Sequence, residues 1–304
     1  MTSSTQALSA FTPLRDGFSE AIAPGDRLVT LSSGAGATWW DNAAPVRATL
    51  PPATRVGGAR WTVDGTSLRV GLGTLDLAAR TWRPEPLLAS WNEPGPGGDL
   101  PVREVAWFAD TAHLAVLLES RAPDGTRRTE VAIVSTADGR ARGRRAVEGA
   151  QILVATQDRL LVGSKKPIVL DVDATVVAEP ALPPSLVRVR EGAGMFAAVG
   201  AAGAVALVKP ADGAVVTTWD AGAIDAVPVE RGLVAVDLAG NVRVGCVDGP
   251  QIRSVAEVAS GVAGAVIQRV GDQIVVAGAG TPAVRVATFK NPCVAGASRP
   301  SVER

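Results

Sequence analysis

The chain has 304 residues, of which 47% are hydrophobic, and thirty basic residues balance thirty acidic ones. That apolar content can offset the entropy of ordering a chain, which excludes an intrinsically disordered protein. The zero net charge leaves no overall field to draw the chain to nucleic acid or an anionic membrane, so any electrostatic binding has to be local. Two cysteines and one histidine exclude a disulfide-rich scaffold and a multi-cysteine zinc site, and they leave almost nothing for an imidazole-bound metal.

The first ten residues, Met1 to Ala10, are polar and lack both the basic start and the apolar run of a secretory signal. Export is therefore not expected, and the expected location is the cytoplasm. No stretch approaches the ~20 consecutive apolar residues of a membrane-spanning helix. After this segment, runs of four to eight Val, Leu, Ile and Ala residues recur between clusters of Gly, Pro, Asp and Asn. Asp-Gly pairs at 64–65, 124–125, 138–139, 212–213 and 248–249 punctuate them, each a signal for a tight hairpin turn.

The runs come in groups of four with the 30–45-residue period of propellers and other repeat architectures. Groups fall near residues 18–50, 58–89, 102–147, 150–183, 185–221 and 223–260. A last group, 262–290, has only three strands. The expected fold is thus all-β: a single seven-bladed propeller of four-stranded antiparallel blades over residues 1–290. In it, an N-terminal strand at Gln6–Leu14 supplies the missing outer strand and closes the ring. The tail from Asn291 to Arg304 is polar and aperiodic, and is expected to be disordered. A pair of β-sandwich domains is the competing arrangement. It is disfavoured because the four-strand period crosses the midpoint of the chain without a linker, and the one Pro/Gly-rich interruption, Asn92 to Pro101, falls a third of the way along.

A signature recurs between third and fourth strands, as Thr74-Leu75-Asp76-Leu77-Ala78-Ala79-Arg80-Thr81-Trp82, as Val169-Leu170-Asp171-Val172-Asp173, and as Val208 through Asp212-Gly213 to Thr218-Trp219. These blades resemble the quinoprotein-like (PQQ-like) propeller repeat, with WD-repeat and YVTN-type propellers similar in architecture. The resemblance implies the fold. Quinoprotein dehydrogenases also carry an export signal, an adjacent cysteine pair and acidic calcium ligands. Here Cys246 and Cys293 stand apart in sequence and no such cluster can be assigned, so no cofactor is expected.

Catalytic groups are scarce. A Ser-His-acid mechanism would have to use His113, which sits at a turn entering a strand, and no Gly-x-Ser-x-Gly elbow is present. Glu20, Asp64, Glu104, Glu191, Asp225 and Glu230 lie on or beside expected inner strands, where two of them could pair as acid and base across a central funnel. As solvated or salt-bridged strand ends they would do no chemistry. Trp61, Trp82, Trp107 and Trp219 are expected to fill gaps between blades, and the run Arg140 to Arg145 to project from an outer strand, where charge discourages sheet-to-sheet association.

In a propeller the loop entering each blade and the loop between its second and third strands open on one face. That rule gathers Trp91, Arg121, Arg127, Arg128, Lys165 and Lys166 into a basic patch beside an indole. The expected function is a non-enzymatic protein–protein interaction scaffold, a subunit of an intracellular bacterial assembly whose partner presents an acidic surface. Nucleic acid and membrane are not expected partners. The alternative is a small-ligand-binding or lactonase/lyase-like propeller that uses the funnel.

Overall fold

The computed structural model describes residues 8, 12–14, 20–22, 28–32, 36–41, 44–51, 54–55, 58–92, 100–121, 124–279 and 284–294. Twenty-eight strands, with one 3-10 helix at Pro86–Asn92, make up its regular structure among these residues. β1 (Thr12–Leu14) precedes blade 1, which comprises β2 (Glu20–Ile22), β3 (Leu28–Ser32), β4 (Gly36–Asp41) and β5 (Ala44–Ala48). Blade 2 is β6 (Arg60–Trp61), β7 (Ser67–Val70), β8 (Gly73–Asp76) and β9 (Thr81–Pro84). Blade 3 is β10 (Leu100–Trp107), β11 (His113–Arg121), β12 (Arg127–Ser135) and β13 (Ala141–Ala146). Blade 4 is β14 (Ile152–Ala155), β15 (Arg159–Gly163), β16 (Ile168–Asp171) and β17 (Val176–Ala178). Blade 5 is β18 (Leu186–Gly192), β19 (Met195–Gly200), β20 (Ala204–Val208) and β21 (Val215–Asp220). Blade 6 is β22 (Ala223–Val229), β23 (Gly232–Asp237), β24 (Asn241–Asp248) and β25 (Gln251–Ala259). Three strands follow: β26 (Ala263–Val270), β27 (Gln273–Ala279) and β28 (Val284–Thr288).

Each of the six blades is an antiparallel meander from one unbroken stretch of chain. The last three strands form a further four-stranded sheet, in the order β1-β28-β27-β26, with the chain's first strand on its outer edge. The expectation of seven blades is corrected to that extent: six are continuous units, and the remaining sheet is assembled from both ends of the chain. The joining strand falls within the segment expected at Gln6–Leu14: Thr12, Pro13 and Leu14 pair with Val286, Arg285 and Val284, and an isolated bridge links Leu8 to Phe289, while the remaining residues of that segment lie outside the described residues.

Turn chemistry explains the meander. At the expected Asp-Gly turns the carboxylate accepts the backbone N–H two residues on: Thr66 from Asp64 at 3.1 Å, Thr126 from Asp124 at 2.9 Å, Arg140 from Asp138 and Ala214 from Asp212, both at 3.0 Å. The glycine that follows sits in the left-handed region; at Gly139, φ is 69° and a Cβ would also meet the Leu87 carbonyl at 2.1 Å. The Thr62 hydroxyl and then the Thr66 N–H hold the carboxyl of Asp64 below the usual carboxylate range, and the N–H groups of Thr126 and Arg140 do the same for Asp124 and Asp138.

The core is a ring of contacts between neighbouring sheets. Val29, Leu31, Leu68 and Leu75 pack blade 1 on blade 2, and Ile133, Leu160, Val162 and Leu170 pack blade 3 on blade 4. Val234, Val244, Ile267 and Val276 pack blade 6 on the composite sheet. Strand alternation delivers one apolar set to each face of a sheet, so a sheet sandwiched by two others is apolar on both. Trp107 is fully buried with its Nε1 donating to the Gly71 carbonyl at 2.9 Å, and Trp219 is also buried; Trp61 and Trp82 are half-buried against the first of these clusters. The side chains of Trp39 and Trp40 lie outside the described residues, although their backbones pair with Val46 and Pro45.

Cys246 and Cys293 are bonded to each other, with an S–S distance of 2.10 Å. Reading them as unconnected is corrected by this bond, which ties the segment after β28 to β24 of blade 6. Asn291 reinforces the attachment by donating from Nδ2 to the Glu230 carbonyl at 2.9 Å and accepting the Cys293 N–H at 3.0 Å. Residues 291–294 are thus anchored, and the rest of the expected disordered tail, 295–304, lies outside the described residues.

Candidate functional site

Two regions concentrate charge. The first is the end of blade 3 where β11 turns into β12. Arg127 and Arg128 are exposed there, next to the register pairs Ser120 with Arg128 and Arg121 with Arg127. Beneath them Glu119 is 7% exposed; one of its carboxylate oxygens lies 3.1 Å from Arg103 Nε and the other 3.7 Å from Arg127 Nε. One carboxylate thus answers two guanidiniums, and Arg128 adds a third, with Asp124 in the same turn. The result is a local positive surface on a neutral protein. The side chain of Arg121 lies outside the described residues.

Lys165 and Lys166 occupy the β15–β16 turn of blade 4, on the same rim. Thr129 connects the two turns: its carbonyl and hydroxyl face the 147–150 segment, the carbonyl accepting the Val147 N–H at 3.0 Å and Oγ1 accepting the Ala150 N–H at 3.3 Å. Gly149 of that segment lies against the Lys165 stem. Lys165 Nζ is 3.2 Å from Glu148, an exposed pair that water largely screens.

Trp91 is not part of this surface, a correction to the expected patch. The 3-10 helix that carries it crosses to the opposite end of blade 3, where Trp91 Nε1 donates to the Gly139 carbonyl at 2.9 Å and the Arg144 guanidinium stacks 5.1 Å from its ring. Between Arg127 and Ser135, which precedes that turn, β12 climbs eight residues, or about 26 Å at ~3.3 Å per residue. The indole packs at that end in a cluster with Leu72, Leu88 and apolar residues of blade 3. The run at Arg140–Arg145 is likewise more engaged than an array of solvated edge charges: Arg142 bonds Asp173 of blade 4 at 2.8 Å, and Arg144 bonds Glu130 at 2.8 Å.

The second region is the central channel, where the inner strands converge on a cavity of about 450 Å³. Arg60, Arg188, Arg190 and Arg269 line it, against Glu104 and Glu191. Arg60 crosses from blade 2 to blade 5 to reach Glu191 at 3.0 Å, and donates to the carbonyls of Trp107 and Ala155. Behind the wall, Arg190 grips the fully buried Asp225, with Nη2 2.9 Å from Oδ2. Asp225 also accepts the N–H of Ala226 at 2.9 Å and of Ile267 at 3.0 Å, so one carboxylate joins blade 5, blade 6 and the composite sheet. Asp225 and Glu191 are consumed by these ties and Asp64 by its turn, while Glu230 sits in the β22–β23 turn. The side chain of Glu20 lies outside the described residues.

His113 is held by Asp110, Nδ1 to Oδ2 at 2.6 Å, and its Nε2 faces Arg142 at 3.1 Å rather than a hydroxyl. It orders a turn, and among the described residues its ring nitrogens meet Asp110 and Arg142. Among the described residues no group of three or more His, Cys, Asp or Glu side chains is placed to hold a metal ion.

The closed arrangement of four-stranded antiparallel sheets around this channel defines a β-propeller. No protein-family description and no curated protein matches the sequence. Solved structures do match in fold. The β-propeller domain of Cps50 (Swd1) from Myceliophteria thermophila aligns with a TM-score of 0.65 at 11% identity over 93% of this chain and 100% of that one. A chain of the Mitotic Checkpoint Complex aligns at 0.63 and 13% identity over 94% and 96%. BamB from Moraxella catarrhalis aligns at 0.52 and 11% identity over 93% and 100%. At these identities the likeness extends to the fold, with WD40-like and BamB-like propellers as its neighbours.

Proposed function

We propose that this propeller is a non-enzymatic protein-interaction module that binds an acidic partner through the Arg127–Arg128 end of blade 3, with Lys165 and Lys166 extending the surface. The observation that carries this reading is the pair of exposed guanidiniums there, with the buried Glu119 beneath them. Arg is a favoured interface anchor. One of the similar structures comes from a multiprotein assembly, the Mitotic Checkpoint Complex, which fits the same role.

The test is co-purification from the native host, comparing the wild-type chain with Arg127→Glu/Arg128→Glu. The partner is expected to be lost at least tenfold from the variant, which should still unfold cooperatively because Arg103 continues to answer the buried Glu119. Equal recovery of the same partner by the variant would refute the reading.

We also infer that the working compartment is oxidising rather than the cytoplasm expected from the polar N-terminus. The Cys246–Cys293 bond supports this, since such bonds persist outside the reducing cytosol. Alkylation with a polyethylene-glycol maleimide under denaturing conditions should leave freshly isolated protein unshifted unless it is first reduced. Two modified thiols without reduction would return the protein to the cytoplasm.

A further inference from the structure

We propose that the central channel binds a small polyanion, a ligand carrying carboxylate or phosphate groups, through Arg188 and Arg269. The inference is separate from the partner surface and rests on how the channel's charges are matched. Arg60 and Arg190 are answered by Glu191 and Asp225. Arg188 and Arg269 have no ion-pair partner among the described residues; the guanidinium of Arg269 lies 5.9 Å from the Phe289 ring. Four arginines set against Glu104, Glu191 and Asp225 leave the channel with an excess of positive charge, which favours a ligand rich in anionic acceptors.

The backbone also points to this position. The β18–β19 register shifts between Leu186 and Arg188, a bulge of the kind that re-aims side chains beside binding sites. A cavity of about 450 Å³ falls within the range of small-molecule sites and accommodates a ligand the size of a tricarboxylate or a sugar phosphate. Guanidinium matches both oxyanions through paired N–H donors, so the chemistry they share is what the channel recognises.

The full chain, in low-salt buffer free of phosphate and polycarboxylate, is titrated by calorimetry with citrate and separately with pyrophosphate, with sodium chloride at matched ionic strength as control. Saturable binding of at least one anion is expected, weakened tenfold or more in Arg188→Ala and in Arg269→Ala and unaffected in Arg127→Glu/Arg128→Glu. Binding of citrate alone identifies a carboxylate ligand and of pyrophosphate alone a phosphate ligand. The proposal is overturned if neither anion binds beyond the chloride control, or if both channel variants bind as the wild type does. The surface variant separates the two readings: its binding of anion is independent of whether it keeps its protein partner.

Discussion

Asp225→Ala is expected to lower the unfolding free energy by about 3–5 kcal/mol, the cost of stranding one member of a buried ion pair. Asp225 is 0% exposed and Arg190 8%, so the guanidinium would lose its buried carboxylate with little added access to water in exchange. The Ile267 N–H, which donates to Asp225 at 3.0 Å, would lose its acceptor in the same step. In a chain of this size the melting temperature should fall by on the order of 5–10 °C. Urea unfolding of Asp225→Ala and of Asp225→Ala/Arg190→Met makes the test specific. The double variant removes the stranded charge and should recover part of the loss, because a buried pair is worth less than the penalty for breaking it. A loss below 1 kcal/mol in the single variant would mean that the three sheets are not joined through this carboxylate.

Cys293→Ser should have an effect of similar size by a different route. The bond spans 47 residues, and cross-linking a loop of that length removes unfolded-state entropy worth about 4 kcal/mol in the chain-entropy treatment. The variant should melt several degrees lower and become insensitive to reductant, while reductant should bring the wild type down to the level of the variant. If reduced and oxidised wild type melt together, the bond is not a stabilising staple. Asn291 would then hold the segment through its contact with Glu230 alone.

The parts of this molecule legible in its sequence are those made by local chemistry. An Asp-Gly pair writes its own turn: the carboxylate of Asp124 caps the N–H of Thr126, two residues away, and no distant partner is needed. The apolar runs between such turns set the four-strand period for the same reason. Distant relationships were not legible. Arg190 and Asp225 are 35 residues apart and Asp225 and Ile267 42, and bulges at 186/188, 223/225 and 263/266 shift the register, so strict alternation misjudges which side chains face the channel. The face rule places Trp91 on the wrong rim because it treats an inter-blade connection as a short loop, whereas this one carries a 3-10 helix packed on the Gly139 turn through both Leu87 and Trp91. The cysteine pair escaped for want of any spacing rule that joins a mid-sheet strand to the chain beyond the last one.

The sheet built from both ends also orders events in time. β1 is made first, but its partner β28 follows some 270 residues later, a wait of roughly 15–50 s at 5–20 residues per second of synthesis. Throughout that interval the leading strand is an open edge without its mate. Pro13, at the centre of its paired stretch, has no N–H to offer a wrong neighbour. Cys293 follows β28 in the chain, so the bond to Cys246 cannot form until the strand that completes the sheet has been made.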